Sequence, residues 1–319
     1  MLLGAKLSPA LREWVPEGME VAGGDLGEDD VHLILEYKRE ESWGMVRAPR
    51  ANRFIVHHDL NNPMVSSQEE FRKAVALFTP QLLVVGGLQM MDNFPFKEGE
   101  RLARILLIRE QMAVMEPGTK VHFEMASFVD SSLLEELVEH IIPQADSLGM
   151  NEQELPNLHT LLTRGEVSLV ADSNPRIAEV LDMMREVYSV LSEVATGPAR
   201  PLTRIHLHTL AYQAILTAKG SHWKNTGAAA VKASLTAHRH VCADSQVRPE
   251  KSFLIMDESF STSSKPGGRR VPFTSDRPLT CWEEDEVEIC LAPVLVCSEA
   301  VQTAGGGDNI SAAGLVVQI

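Results

Sequence analysis

The chain reads as an α/β protein, with a central, mostly parallel sheet, helices on both of its faces, and a small β lid set apart from it. Two observations predict the sheet. Short apolar runs such as Leu82-Leu83-Val84-Val85 close on glycine or polar residues, as buried parallel strands do. Amphipathic stretches of helical period separate them, and such alternation places crossover helices over a parallel sheet. A third observation predicts the lid. Three β-rich segments follow one another between residues 31 and 58, joined only by polar turns.

In chain order, residues 1–28 contain no capped element, and Gly23-Gly24-Asp25-Leu26-Gly27 reads as loop. Val31–Tyr37, Trp43–Arg47 and Ala51–Asp59 form an antiparallel meander. This divides the chain into a partial lid region, 1–58, and a large α/β domain, 59–319. Ser67–Phe78 is a helix, with Ser66 or Ser67 as cap and Glu69 and Glu70 in its first turn. Strands at Pro80–Gly87 and Lys120–Met125 bracket a helix at Glu98–Met115. A helix at Ser131–Ile142 and a strand at Ala145–Met150 follow, and Asn151 opens the next helix. Pro175–Thr196 is a long amphipathic helix. Thr203–His208 is a strand, with helix after it to about Lys219. Trp223–His238 is helical, 243–286 is polar loop with short strands, and Val287–Val296 is a strand leading into a Gly-rich turn.

The 319 residues suffice for one large domain with a lid. A net charge of −15 argues against nucleic acid as a partner, because phosphate-backbone binding needs a basic surface. Ile105-Leu106-Leu107-Ile108 is among the longest apolar runs and is far too short to span a bilayer. Met1-Leu2-Leu3-Gly4-Ala5-Lys6-Leu7 lacks the basic and apolar regions of a secretory signal. The four cysteines, Cys242, Cys281, Cys290 and Cys297, make no C-x-x-C pair. They read as buried free thiols, with a disulfide left open.

The most informative stretch is Gly305-Gly306-Gly307-Asp308, followed by a small-residue run that starts a helix. A Gly-rich turn at a helix N-terminus aims backbone N–H groups at one spot, which suits a phosphoryl oxyanion. Asp308 stands where a carboxylate could take a proton from an attacking hydroxyl. His122 and Glu124, two apart at a strand end, share a face, as a ligand site or as a buried pair. Asn151 and Glu154 share a face of a first helical turn, as an N-cap with its capping-box partner or with Glu154 beside a hydrated Mg²⁺. His206 and His208 read as core or nucleotide-lining histidines, with no third ligand for zinc evident. Pro49-Arg50-Ala51-Asn52-Arg53 is a basic turn in the lid, either a salt-bridged surface or a phosphate clamp.

His122-Phe123-Glu124, Asn151-Glu152-Gln153-Glu154 and Gly305-Gly306-Gly307-Asp308 resemble the HxE, NxxE and GxGD motifs of the ADP-dependent sugar kinases, which have the ribokinase-like fold. Longer strings resemble the animal glucokinase branch of that family. They include His32-Leu33-Ile34-Leu35-Glu36-Tyr37, Ala51-Asn52-Arg53-Phe54-Ile55, Ser147–Leu155, Leu202–Leu210 and Pro293–Cys297. The resemblance implies phosphoryl transfer from ADP to the 6-hydroxyl of glucose, giving AMP and glucose 6-phosphate, with Mg²⁺ as cofactor. Asp308 would be the general base, and the amides of Gly305, Gly306, Gly307 and Asp308 the anion hole. Glu124, Glu154 and Asp308 would serve the metal. His32, Asn52 and Arg53 would meet the substrate, and His206, His208 and Gly307 the nucleotide. A monomer is expected, and animal relatives imply the endoplasmic reticulum or secretion.

Two departures accompany the resemblance. The family carries a substantial N-terminal portion that this chain lacks, with the first strands and part of the sugar pocket. The chain therefore reads as part of a longer protein. Gly306 stands where an apolar residue is usual, and Gln302 where a basic one is frequent. The competing readings are an inactive nucleotide-binding relative and an ATP-dependent kinase of the same fold.

Overall fold

The computed structural model describes residues 1–167, 175–193 and 200–319. The chain forms two compact units. The first takes chiefly Met1–Leu33 and Ile55–Asp146, the second Ile34–Phe54, Ser147–Val194 and Pro201–Ile319.

Strand β1 (Leu2–Gly4) pairs in parallel with β2 (Glu20–Ala22), and helix α1 (Pro9–Arg12) stands between them. The opening segment is thus not bare loop. Ser8 caps α1 by accepting the Leu11 N–H, and Pro9 occupies the first helical position, where its missing N–H is not needed. A four-residue helix has no period to read, so only its cap could have announced it.

Strands β3 (His32–Tyr37), β4 (Ser42–Trp43), β5 (Val46–Arg47) and β6 (Asn52–His57) form the ribbon expected as a lid. Its pairing is nested rather than a meander: β4 pairs with β5, and β3 with β6. Glu40 N–H donates to the Ala48 carbonyl and Ala48 N–H to that of Glu41. Those bonds close the inner hairpin on itself and leave the outer strands to meet.

Helix α2 (Gln68–Phe78), strand β7 (Leu82–Val85), helix α3 (Glu100–Ala113), strand β8 (Lys120–Glu124) and helix α4 (Ser131–His140) complete the first unit. β7 and β8 are parallel, and Asp130 caps α4 by accepting the Ser132 N–H at 2.9 Å. Ile105, Met112, Val121, Phe123, Leu133 and Leu137 are wholly buried. Each contributes roughly 1.5–3 kcal/mol of transfer free energy.

The second unit continues with β9 (Ser147–Asn151), α5 (Glu154–Arg164), α6 (Ile177–Glu193), β10 (Arg204–His208), β11 (Tyr212–Ala218) and α7 (Thr226–Cys242). Short strands β12 (Ser252–Phe253), β13 (Ser259–Ser261) and β14 (Arg270–Pro272) interrupt the polar stretch. Strands β15 (Thr280–Glu284), β16 (Val287–Pro293) and β17 (Val296–Cys297) lead to helix α8 (Gly306–Gln318). Residues 194–196 of the expected long helix lie outside the described residues.

The sheet of this unit runs β15-β16-β11-β10-β9 and is mixed, not mostly parallel. Only β9–β10 is parallel here, while β10–β11, β11–β16 and β15–β16 are antiparallel. The cause is β11, expected as helix. The Thr209 hydroxyl accepts the N–H groups of Ala211 and Tyr212, and Thr209 N–H donates to the Tyr212 carbonyl. That turn sends the chain straight back. Tyr212–Leu216 is fully buried, and an apolar run with no alternation looks the same as buried helix or buried strand.

Helix α7 lays Ala229, Ala230 and Ala237 on this sheet, beside Ile215, Cys290, Ala292 and Val294. Helix α6 is tied to the second unit's edge strand by Arg185, whose guanidinium donates to Glu284 at 2.7 and 2.9 Å. The cysteines are not free thiols. Cys242 is bonded to Cys297, and Cys281 to Cys290, its partner in register across β15 and β16. Closing the 55-residue separation of the first pair contributes about 4 kcal/mol in the chain-entropy account.

Candidate active site at the Gly-rich turn

Gly305 precedes α8 with φ +69° and no side-chain cap. Only glycine takes that left-handed conformation without strain. The first helical bond runs from Asn309 N–H to the Gly305 carbonyl. The amides of Gly307 and Asp308 therefore have no partner within the helix and lie at its positive end. Asp308 is exposed in the first turn, and among the described residues no protein group hydrogen-bonds its carboxylate.

The helix can start there because its underside is cut to fit β10. A Cβ on Gly307 would lie 3.1 Å from His208 Cε1, and one on Gly314 would lie 3.2 Å from His206 Cε1 and 3.4 Å from Arg204 Nη2. Glycines seven apart on α8 thus cover histidines two apart on β10. Beneath the helix lies a buried polar layer. Arg204 donates to Gln318 Oε1 at 2.7 Å and to Ser147 Oγ at 2.9 Å, and its guanidinium stands 5.3 Å from the Trp223 ring. His206 Nε2 meets Gln213 Oε1 at 3.1 Å. His206 and His208 are therefore platform residues under the turn's helix, with their rings 6.0 Å apart, edge to face.

The two residues before Gly305 are held from three sides. The Glu36 carboxylate, on β3, accepts the N–H of Thr303 at 2.9 and 3.0 Å, that of Ala304 at 2.8 Å, and the Thr303 hydroxyl at 2.7 Å. Arg53, on β6, donates to the Thr303 carbonyl at 3.3 Å. His240, near the end of α7, meets the Ala304 carbonyl at 2.7 Å. Desolvation would raise the Glu36 carboxyl, but the Thr303 hydroxyl, the two amides and the Arg53 charge outweigh it and hold the group below its ordinary value. Glu36 and His240 were missed in the sequence. A lone carboxylate in the apolar run His32–Tyr37 was the available signal.

The other expected residues are engaged as follows. His32 Nε2 is 2.8 Å from the buried Asp59 carboxylate, which also accepts the Asn61 and Asn62 amides. Asn52 opens β6, half-buried. His122 Nε2 is 2.9 Å from Glu124 Oε2, in the first unit, and both are buried. Glu154, in the second unit, accepts Asn151 N–H at 2.9 Å and Asn151 Nδ2 at 2.7 Å, while Asn151 Oδ1 accepts the Gln153 and Glu154 amides. Asn151 thus ends β9 rather than opening the helix, and the reciprocal bonds close the turn that leads to α5, whose N-cap is Gln153. Burial pushes the neighbouring Glu152 carboxyl up, against its own amide and the charges of His208 and Arg50. The second unit thus gathers Arg53, His206, His208, Gly305, Gly306, Gly307 and Asp308 around one turn.

Residues 1–317 match the conserved region of ADP-specific phosphofructokinases and glucokinases. The chain belongs to that family. It is 35% identical to the ADP-dependent glucokinase of Bos taurus over 320 residues, covering 99% of this chain and 63% of the relative. It is 30% identical to the probable ADP-dependent glucokinase of Caenorhabditis elegans, covering 90% of this chain and 58% of the relative. The chain thus spans about three-fifths of the length of these relatives. Among solved structures it is similar to the last common ancestor of ADP-dependent phosphofructokinases from Methanosarcinales. The TM-score is 0.64 at 17% identity, covering 99% of this chain and 71% of that one. The fold is ribokinase-like, as the motifs implied, with a mixed sheet among helices. Among the described residues, no helix is long and apolar enough to cross a membrane.

Proposed function

We propose that this chain carries the phosphoryl-transfer site of an ADP-dependent glucokinase, acting as a monomer. The observation that carries the reading is Asp308, exposed in the first turn of α8 and, among the described residues, not hydrogen-bonded through its carboxylate, three residues after the left-handed Gly305. The glucose 6-hydroxyl oxygen bonds to the β-phosphorus of ADP as the bond from that phosphorus to the AMP oxygen breaks. Asp308 takes the hydroxyl proton, and the amides of Gly307 and Asp308 receive the charge growing on the transferring group. Arg53 reaches the same turn from the ribbon, and its guanidinium fork suits the phosphates.

Mg²⁺, when bound, neutralises charge on the phosphates. Glu154, in the second unit, suits it by donor chemistry, as a carboxylate offering only oxygen, and Glu124, in the first unit, offers the same donors on its own. Each already accepts a hydrogen bond, Glu124 from His122 and Glu154 from Asn151 on both oxygens. That engagement favours holding the ion through its water shell. Glu154→Gln is expected to raise the Mg²⁺ concentration for half-maximal rate, and an unchanged midpoint would leave Glu154 only the acceptor that closes the turn with Asn151.

The decisive test is Asp308→Asn. Sugar phosphorylation should fall on the order of 10²-fold or more, with AMP binding by calorimetry within a few-fold of the parent. Turnover close to the parent's would remove Asp308 from the reaction.

A further inference from the structure

The amides of Thr303 and Ala304 lie just upstream of the proposed anion hole, and a carboxylate already occupies them. Two successive N–H groups converging on one anion make a small anion-binding nest. Glu36 fills it with charge-assisted bonds of 2.8–3.0 Å. The two carbonyls of the same dipeptide are held as well, by Arg53 and by His240. All four polar backbone groups of Thr303-Ala304 are therefore bound to side chains, two of them from the ribbon. The contact spans 267 residues of sequence, so it is not a local turn accident.

Building on the phosphoryl-transfer reading above, we propose that Glu36 is a positioning residue for the reaction. It makes the ribbon a clamp on the Gly-rich turn. With its carboxylate in place, Thr303-Ala304 cannot rotate, and the first turn of α8 presents Asp308 and its amides at one fixed angle. Without it, two amides lose their acceptor and the turn is held only by its carbonyls. Arg53, beside Glu36, then has two tasks. It balances the Glu36 charge close to where phosphate must come, and it pins the Thr303 carbonyl.

The test uses the full chain as purified, with Glu36→Gln, Glu36→Asp and Thr303→Val. Hydrogen exchange reads the amides directly. Glu36→Gln should lose protection at Thr303 and Ala304, while β10 and β11 keep theirs and the melting temperature stays with the parent. Its AMP affinity should fall about tenfold. Its kcat for glucose phosphorylation should fall between about 10- and 100-fold, as expected for misplacement of reacting groups by about 1 Å, with the glucose KM within threefold. Glu36→Asp, one methylene short, should be intermediate. Thr303→Val removes the hydroxyl bond alone and should keep most of the protection.

Unchanged protection in Glu36→Gln would overturn the clamp. So would a Thr303→Val loss as large as that of Glu36→Gln. Lost protection with unchanged kcat and AMP affinity would overturn the positioning role. Should the parent chain make no glucose 6-phosphate from ADP, the kinase reading is decided separately, by turnover of a protein that carries the N-terminal portion of its relatives. Exchange and AMP affinity then still decide the clamp.

Discussion

The two ends of α8 are built by opposite means. The last turns are packed: Gly314, Leu315 and Gln318 are buried, and Gln318 closes on the wholly buried Arg204. The first turn is exposed at Gly305 and Asp308 and is held through polar contacts from the ribbon and α7. A helix anchored at its far end by packing can leave its near end solvated and open to ligand. On the proposed function, stability and chemistry are thereby separated along 13 residues. Substitutions at the far end should cost fold, and those at the near end should cost rate.

The largest break should come from Arg204→Met. It removes the guanidinium that donates to Gln318 Oε1 and Ser147 Oγ, and taking away the charged partner of a buried polar group costs about 1–3 kcal/mol or more. A stability loss of about 3 kcal/mol or more is expected in urea unfolding. A variant as stable as its parent would mean that the polar layer under α8 is not its anchor.

The two glycines over β10 sharpen the contrast. Gly314→Ala presses a methyl on three atoms of buried side chains, at 3.2, 3.3 and 3.4 Å. Overpacking of this kind typically costs about 1–3 kcal/mol, seen as a lower melting temperature, with kcat largely kept in the folded fraction. Gly307→Ala meets the His208 ring first, at 3.1, 3.6 and 3.9 Å, in the half-buried first turn of the helix. Its melting temperature should stay with the parent while kcat falls about tenfold, in keeping with the steep cost of misplacing reacting groups. If both variants lose the same property, the division of labour along the helix is wrong.

How much of this was legible follows from how each residue signals. Asp308 and its glycines stand together in sequence, so the turn declared itself. Strand β10 was legible through its alternation of Arg204, His206 and His208 with Ile205 and Leu207. The same alternation leaves use open, because polar side chains at helix-facing positions look alike whether they meet a ligand or carry another helix. Strand β11 was lost because burial on both faces erases period. The nested ribbon was lost because three β segments in a row do not say which two will pair. Glu36 could not be found from spacing at all, since its partners are 267 residues away.

The smallest effect concerns pH at the near end. Glu36 is held below its ordinary value of 4.5 by the Thr303 hydroxyl, the two amides and the Arg53 charge, which outweigh desolvation. A depressed carboxylate contributes its stabilisation above the ordinary value, and loses it as pH falls through the lower, folded value. Protection factors at Thr303 and Ala304 should therefore hold from neutral pH down to about 4.5 and then decline. Those of β10 and β11, which rest on burial, should stay level until the unit unfolds. In Glu36→Gln the decline at the turn should vanish, because the group that titrates is gone. A parent profile with no decline, or a decline that persists in Glu36→Gln, would mean that some other acid holds the turn and that the near end of α8 is not governed by the ribbon.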